Sequence, residues 1–440
     1  MKREFEILER ALDAAKADEA DAVFMSSDTN ISRFANSNIH QNMSEISSDL
    51  TLRVVIGNAM GVASTTSFDR DDIEEMAAVA REAARHSLPL RDFRGLYRGG
   101  ENVPNLPTFQ RADITPADKA RALRTMFDRG REAGAHFAGS YGTDASSVAC
   151  ANTHGVRRYC TMTVSEATAI AIRGEDSGYA TDIARGGIDI LALGAEAIEK
   201  ATMLGGVNAK IETGKYDAII EPAAIAEVMD WMNMITFSGQ SFEDGSSFLV
   251  GNIGKSVAAK NFTVADDAID PDFLPFPFDL EGLPKRRVAL IENGIARTPV
   301  VDKAYSDRLH IPPTANGWGL GSPEHGSALH LSVNAGDATR EQLIRSTKRG
   351  VWVTRFNYVN GLLEPKTAMM TGTTRDGTFL IRDGEVVARL PNLRWTQSML
   401  EAFSRVEGLT RERRRTGTWS NPFGGTIAPT MKIEGWNFSG

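Results

Sequence analysis

Hydrolysis at a metal centre needs three or four His, Cys, Asp or Glu donors at fixed spacing. The chain has seven histidines, His40, His86, His136, His154, His310, His325 and His330, and none is followed by Glu. Only His325 and His330 lie close together, with Gly326 between them. That spacing puts them on different faces of a helix, so they read as one loop and one strand histidine. Cys150 and Cys160 form no metal-spaced pair. They could meet across a hairpin, but two thiols in so large a chain point to a reducing compartment. There is no Gly-x-Ser-x-Gly elbow, P-loop or Cys-x-x-Cys, and Gly317-x-Gly319-x-Gly321 does not follow a strand as a dinucleotide loop would. The acids Asp266, Asp267, Asp279 and Glu281 have the chemistry for acid–base work or for a cation. In a turn-rich stretch they are expected instead to cap turns and face water. The residues therefore assign no catalytic side chain and no metal ligand.

At 440 residues the chain is long enough for two domains, and its net charge of −8 gives no general attraction for polyanions. Arg411, Arg413, Arg414 and Arg415 are the densest charge cluster, expected as a solvated loop beside a helix end. A nucleic-acid surface would want a broader basic face with interleaved aromatics. No apolar run is long enough for a bilayer, and the first residues lack the apolar core of a signal peptide. The expectation is a cytoplasmic protein without nucleic-acid or membrane partners.

Phe5, Leu8, Leu12 and Ala15 predict a first amphipathic helix. A strand follows at 22–25, then a polar stretch at 26–48 that suits edge strands. Residues 51–56 and 61–66 predict a hairpin turning at Gly57-Asn58. Asp69, Thr115 (with Pro116 and Asp118) and Asp189 each suit a helix N-cap. A hairpin is expected to turn at 152–155. Beyond about residue 215 short strands and turns dominate, with Asn293-Gly294 and Asp383-Gly384 as hairpin dipeptides. Pro222 opens a helix whose apolar face is Ile225, Val228, Met229, Met232 and Ile235. Asp337 is expected to cap a helix before a strand at 351–358, and a last helix to span 397–406. Residues 311–326, rich in Gly and Pro, predict a long surface loop, a mobile connection first and a lid or docking arm as the alternative. No internal repeat is visible. The fold class is α+β: a mixed N-terminal domain over 1–215, then a β-rich, barrel-like antiparallel domain over 216–440.

The run Ser246-Ser247-Phe248-Leu249-Val250-Gly251-Asn252-Ile253-Gly254, then Phe278-Asp279-Leu280-Glu281-Gly282, resembles the TldD/TldE (PmbA) family, once called modulators of DNA gyrase. Arg53-Val54, Gly57, Gly61, Asn293-Gly294, Asn316-Gly317, Lys348-Arg349-Gly350 and Asp383-Gly384-Glu385 follow in family-like order, while 361–372 diverges. In the TldD branch a His-Glu-x-x-x-His zinc motif precedes the Ser-x-Phe stretch. Counting back from Ser247, its positions fall near Asp230, Trp231 and Ile235, and the family's third ligand, a Cys, should fall within 418–425, which has none. The resemblance implies the metal-free TldE branch. Its members pair with a zinc-bearing TldD subunit around a chamber for unfolded peptides. This chain would then be a peptide-binding subunit with no cofactor of its own, the zinc residing in a TldD-like partner. Ser247, Phe248, Glu281 and Gly282 are the residues expected near the peptide. The alternatives are an independent hydrolase and a homodimeric binding module without proteolysis.

Overall fold

The computed structural model describes residues 1–106, 114–318, 326–417 and 424–439. α1 (Lys2–Ala15) leads into β1 (Glu19–Ala35), β2 (Asn38–Ile56) and β3 (Ala59–Thr65), and α2 (Arg70–His86) follows. The same order then recurs as α3 (Pro116–Glu132), β4 (His136–Asn152), β5 (Arg157–Arg173), β6 (Asp176–Arg185) and α4 (Ile190–Thr202). The six strands lie in the order β3-β2-β1-β4-β5-β6, and β1 and β4 pair antiparallel. Two αβββα units thus meet at the centre of one sheet. The repeat is of topology rather than of side chains, which is why none is visible in the sequence. What the units share is a glycine where a helix lies on an outer strand. A Cβ on Gly61 of β3 would sit 2.1 Å from the Ala80 carbonyl oxygen of α2, and one on Gly178 of β6 would sit 2.2 Å from that of Ala197 in α4.

The buried face of α1 is Ile7, Leu8, Ala11 and Ala15, with Phe5 and Leu12 packed at its margin. Thr115 and Asp118 form a reciprocal capping box, and Asp189 accepts from the N–H groups of Leu191 and Ala192. Asp69 occupies the N-cap of α2 but its side chain makes no capping bond. The polar stretch after Met25 meets the expectation only in part: 38–48 lies at an edge of β2, whereas β1 is central, pairing with both β2 and β4 along its length. Its side chains are polar because this end of the sheet is only half covered. Cys150 stands opposite Arg158 and Cys160 opposite Val148, so the two thiols do not meet and both are free.

The second sheet begins with β7 (Gly214–Ile220). α5 (Pro222–Met232) follows and ends in a π-helical turn at Asn233–Phe237, and α6 is Gly239–Glu243. Then come β8 (Val264–Asp266), β9 (Val288–Glu292), β10 (Ile295–Ala296), α7 (Lys303–Leu309), β11 (His330–Val333) and α8 (Arg340–Arg345). The chain finishes with β12 (Arg349–Glu364), β13 (Met369–Arg382), β14 (Glu385–Arg389), β15 (Arg394–Ser398), α9 (Met399–Ser404), β16 (Val406–Gly417) and β17 (Gly425–Phe438). β17 pairs with β15 along one edge and with β7 along the other, so β7, β12, β13, β15 and β17 close into a ring. The apolar face of α5 is buried in the same core as these strands. The expected α+β class, with a strand-rich and barrel-like second part, is what the chain adopts. Both hairpin dipeptides turn at positive φ, as Asn293 (50°), Gly294 (78°), Asp383 (49°) and Gly384 (83°).

Four local expectations are corrected. α8 is capped by Thr339, whose capping box with Gln342 outcompetes Asp337. The last helix shrinks to α9 because 394–398 is drawn into the ring as β15. The arginine run is a strand, β16, whose side chains tie the two sheets together: Arg415 reaches Asp182 of β6 at 3.1 Å, and Arg414 pairs with Glu196 of α4. The loop at 311–326 is buried over 314–318, and residues 319–325, including His325, lie outside the described residues. Gly61→Ala and Gly178→Ala are each expected to cost about 2–3 kcal/mol in urea unfolding, since backbone must move to admit a methyl group. A loss below about 0.5 kcal/mol at either would contradict the close approach.

Candidate functional site

The seam between the sheets is charged and dry. Arg53 of β2 forks onto Asp21 of β1, Nε to Oδ1 at 2.9 Å and Nη2 to Oδ2 at 2.5 Å. Its Nη2 also reaches Glu281 Oε1 at 2.9 Å, across the seam. The other oxygen of Glu281 accepts from the backbone N–H of Lys303 at the start of α7, 2.8 Å away. Arg53 is 3% exposed and Glu281 6%. Asp279 accepts three backbone N–H groups, from Glu281, Leu283 and Gly317. It does cap a turn, but Asp279, Asp266 and Glu281 are all buried rather than facing water. The turn carries them inward because the seam holds cations to be matched and N–H groups to be satisfied. Gly282 (φ 85°) completes the turn, where a Cβ would fall 2.6 Å from Val156.

Burial pushes the Glu281 carboxyl up to about 8, against the pull of Arg53 and with help from Asp302, Asp279 and Asp21. Burial likewise raises Asp279 to about 6, opposed by the N–H groups it accepts. A second buried set lies alongside. Asp266 accepts from Lys285 Nζ at 2.7 Å, Asn316 Nδ2 at 2.9 Å and the His330 N–H at 2.9 Å. Burial alone would raise its carboxyl, but Lys285 and His330 together hold it below the ordinary range. Asp267 is half-buried and lies 3.6 Å from Arg287.

Ser247 and Phe248 lie elsewhere, in the core under the π-helical turn. Ser247 Oγ donates to the Thr236 carbonyl at 2.5 Å and accepts from the Leu249 N–H at 3.1 Å. Phe248 meets Phe237 edge to face at 6.1 Å. The four residues expected near a peptide thus fall in two buried places, Ser247 and Phe248 in one and Glu281 and Gly282 in the other.

Another open space borders α5. A cavity of about 210 Å³ is lined by Glu166 of β5, Tyr179 of β6, Glu227 and Asp230 of α5, Arg355 of β12 and Thr416 of β16. Burial, with Asp230 three residues on, pushes the Glu227 carboxyl up to about 7. The Arg355 guanidinium sits 4.5 Å from the Tyr179 ring centre and bonds Asp376 Oδ2 through Nε at 2.8 Å. Glu227 was not singled out in the sequence, and Asp230 only as the place where the family's first zinc ligand would fall. The available signal is two acids at helical spacing within an apolar stripe.

The positions that the resemblance assigns to zinc ligands can now be tested. Asp230 is one buried carboxylate, Trp231 offers an indole in place of a general base, and Ile235 offers no donor. Among the described residues no three His, Cys, Asp or Glu side chains are placed to share an ion. Residues 418–423, where a cysteine ligand would fall, lie outside the described residues and contain no Cys. The donor set does not fit zinc.

Glu281 also sets a pH expectation. Folded, it keeps its proton to about 8, whereas unfolded it loses it near 4.5. Between these values the folded chain binds more protons, so this group's contribution to stability falls as pH rises. Glu281→Gln, which keeps an acceptor for Arg53, is expected to flatten the fall in stability between about pH 5 and 8. Glu281→Ala, which leaves the Arg53 guanidinium and the Lys303 N–H without their acceptor across the seam while Asp21 still pairs Arg53, is expected to cost about 1–3 kcal/mol. Denaturant melts across pH check both, and an unchanged slope in Glu281→Gln would contradict the assignment.

Comparison with known proteins agrees with this architecture. Residues 213–440 match the PmbA/TldA metallopeptidase C-terminal domain and residues 20–84 match PmbA/TldA metallopeptidase domain 1. A metalloprotease of Methanothermobacter thermautotrophicus is 22% identical over 222 residues, 50% of this chain and 48% of that protein. A TldD homologue of Buchnera aphidicola, also described as a metalloprotease, is 27% identical over 168 residues, 37% of this chain and 34% of that protein. The chain thus spans about half or less of the curated relatives it matches. TldE from Thermococcus kodakarensis superposes with a TM-score of 0.86 at 19% identity, covering 99% of this chain and 100% of that one. A Thermotoga maritima protein described as a modulator of a DNA gyrase gives 0.87 at 18% identity, with the same coverage. No helix among the described residues is long and apolar enough to cross a membrane. With the C-terminal family model spanning just over half of its residues, the chain belongs to the PmbA/TldA metallopeptidase family, the TldD/TldE family that its sequence resembles.

Proposed function

We propose that the chain is the non-catalytic, peptide-binding subunit of a TldD/TldE-type zinc metallopeptidase complex acting on unfolded peptides. The observation that supports this reading is the donor set on α5: Asp230, Trp231 and Ile235 stand where a zinc-binding helix would carry His, Glu and His. A helix that keeps its place in the core but presents these side chains has kept packing and given up metal chemistry. On this reading zinc and cleavage belong to a TldD-like partner in a cytoplasmic heterodimer. The chain itself divides near residue 215 into a sheet domain and a barrel-like domain that form chamber wall. The cavity beside α5 faces that chamber.

A second reading has one observation in its favour. Glu227, poised near neutrality in a cavity beside Asp230, has the setting of a general acid–base group in an independent hydrolase.

One set of assays separates the two. The chain alone is expected to leave an unfolded peptide uncut. Mixing it with a TldD-like subunit is expected to give cleavage that a zinc chelator abolishes, and that Glu227→Gln in this chain leaves within about twofold. Cleavage by the isolated chain, lost in Glu227→Gln, would overturn the proposal in favour of the second reading.

A further inference from the structure

One edge of the first sheet is left open. β3 pairs with β2 only over Leu50–Ile56, facing Ala59–Thr65. Over 38–49, β2 pairs with β1 alone among the described strands. Along that length alternate backbone N–H and C=O groups point outward without a strand to receive them. Native proteins blunt such edges with Lys, Pro, a bulge or a covering element. Residues 38–49 contain no Lys, Arg or Pro, and their pairing with β1 runs without a register shift from Asp49 to Gln41. Residues 38–47 are all exposed, Ile46 at 78%.

The edge is also held straight from behind. Ser48 bonds Ser26, Ser47 bonds Ser27, and Ser32 bonds Asn42 across the β1–β2 pair. β1 is pinned in turn by β4 and by Lys119, whose Nζ reaches the Asn30 carbonyl at 2.6 Å. A straight, pre-ordered edge spends little conformational entropy on receiving a strand. Its side chains select what arrives. Ile46 and, past a bulge at His40, Ile39 lie on one face and Met43 on the other, so an incoming strand meets an apolar neighbour on each side. The carboxylates Glu45 and Asp49 have no cation among 38–49 to balance them. Pairing with the same edge of a second copy would crowd four carboxylates into one seam, whereas a strand carrying Lys or Arg would neutralise them.

We infer that the outer edge of β2 over 38–49 binds an extended, neutral-to-basic peptide segment as an added antiparallel or parallel strand. The inference rests on the peptide-binding reading above and places one contact surface in the first sheet. Hydrogen exchange of the full chain tests it, using an unstructured synthetic peptide of roughly ten residues in which Val and Thr alternate with Lys. Adding the peptide is expected to slow exchange of amides within 38–49. Adjacent residues point their N–H groups to opposite edges, so one of Ser44→Pro and Glu45→Pro removes an outward donor only. That variant is expected to lose the protection while its thermal midpoint stays at the wild-type value. Glu45→Lys is expected to weaken binding of the Lys-bearing peptide by about three- to fivefold. Protection that appears only elsewhere would overturn the edge assignment and leave the peptide-binding reading standing. Peptide binding nowhere on the chain would overturn both. Protection of 38–49 that grows with chain concentration in the absence of peptide would overturn the inference in favour of a second copy.

Discussion

Arg53 leaves the first sheet and ends between two carboxylates, Asp21 of its own sheet and Glu281 of the turn before β9. A guanidinium buried this deeply is tolerable only when matched, so the second sheet must present Glu281 at one place and at no other. Glu281 in turn accepts the first N–H of α7, and Asp279 two residues earlier fixes Gly317. The seam therefore orders turn, helix and loop together. Because α5 is packed into the second core, the same constraint fixes how far α5 stands from β5 and β6. The cavity of Glu166, Tyr179, Glu227 and Arg355 is the space that remains.

This arrangement explains how α5 keeps its place. Ile225, Val228, Met229 and Met232 hold α5 in the ring whatever its other face carries. On that face Asp230 and Glu227 crowd one another in a poorly solvated space, which is why Glu227 sits near neutrality. Such a face has no geometry for a soft divalent ion, but it lines and charges the cavity. The ion pairs from Arg414 and Arg415 of β16 to Glu196 and Asp182 tie the two sheets together a second time.

Much of the architecture was legible in the residues. Thr115-Pro116 and Asp189 announced helix starts, Asn293-Gly294 and Asp383-Gly384 announced hairpins, and the missing histidines on α5 were plain. What escaped was set by long-range partners. The polarity of 26–48 suggested edge strands, and 38–48 does form an edge of β2, yet 26–35 lies in β1, which is central because a half-covered sheet end needs no apolar alternation. The arginine run suggested a solvated loop, but Glu196 and Asp182, which hold Arg414 and Arg415, come from more than two hundred positions earlier. Asp279 and Glu281 suggested turn caps in water; only the approach of Arg53 and α7 makes their turn a buried one. The duplicated αβββα unit left no mark, since a topology can be shared without a shared side chain.

The central claim is that this polypeptide, folded and alone, has no site for a hydrolytic cation. Calorimetric titration of the metal-stripped chain with zinc at neutral pH tests it directly. The account predicts no saturable binding at micromolar zinc. One equivalent bound per chain with a dissociation constant below about a micromolar, the range expected of a three-donor site, would contradict it.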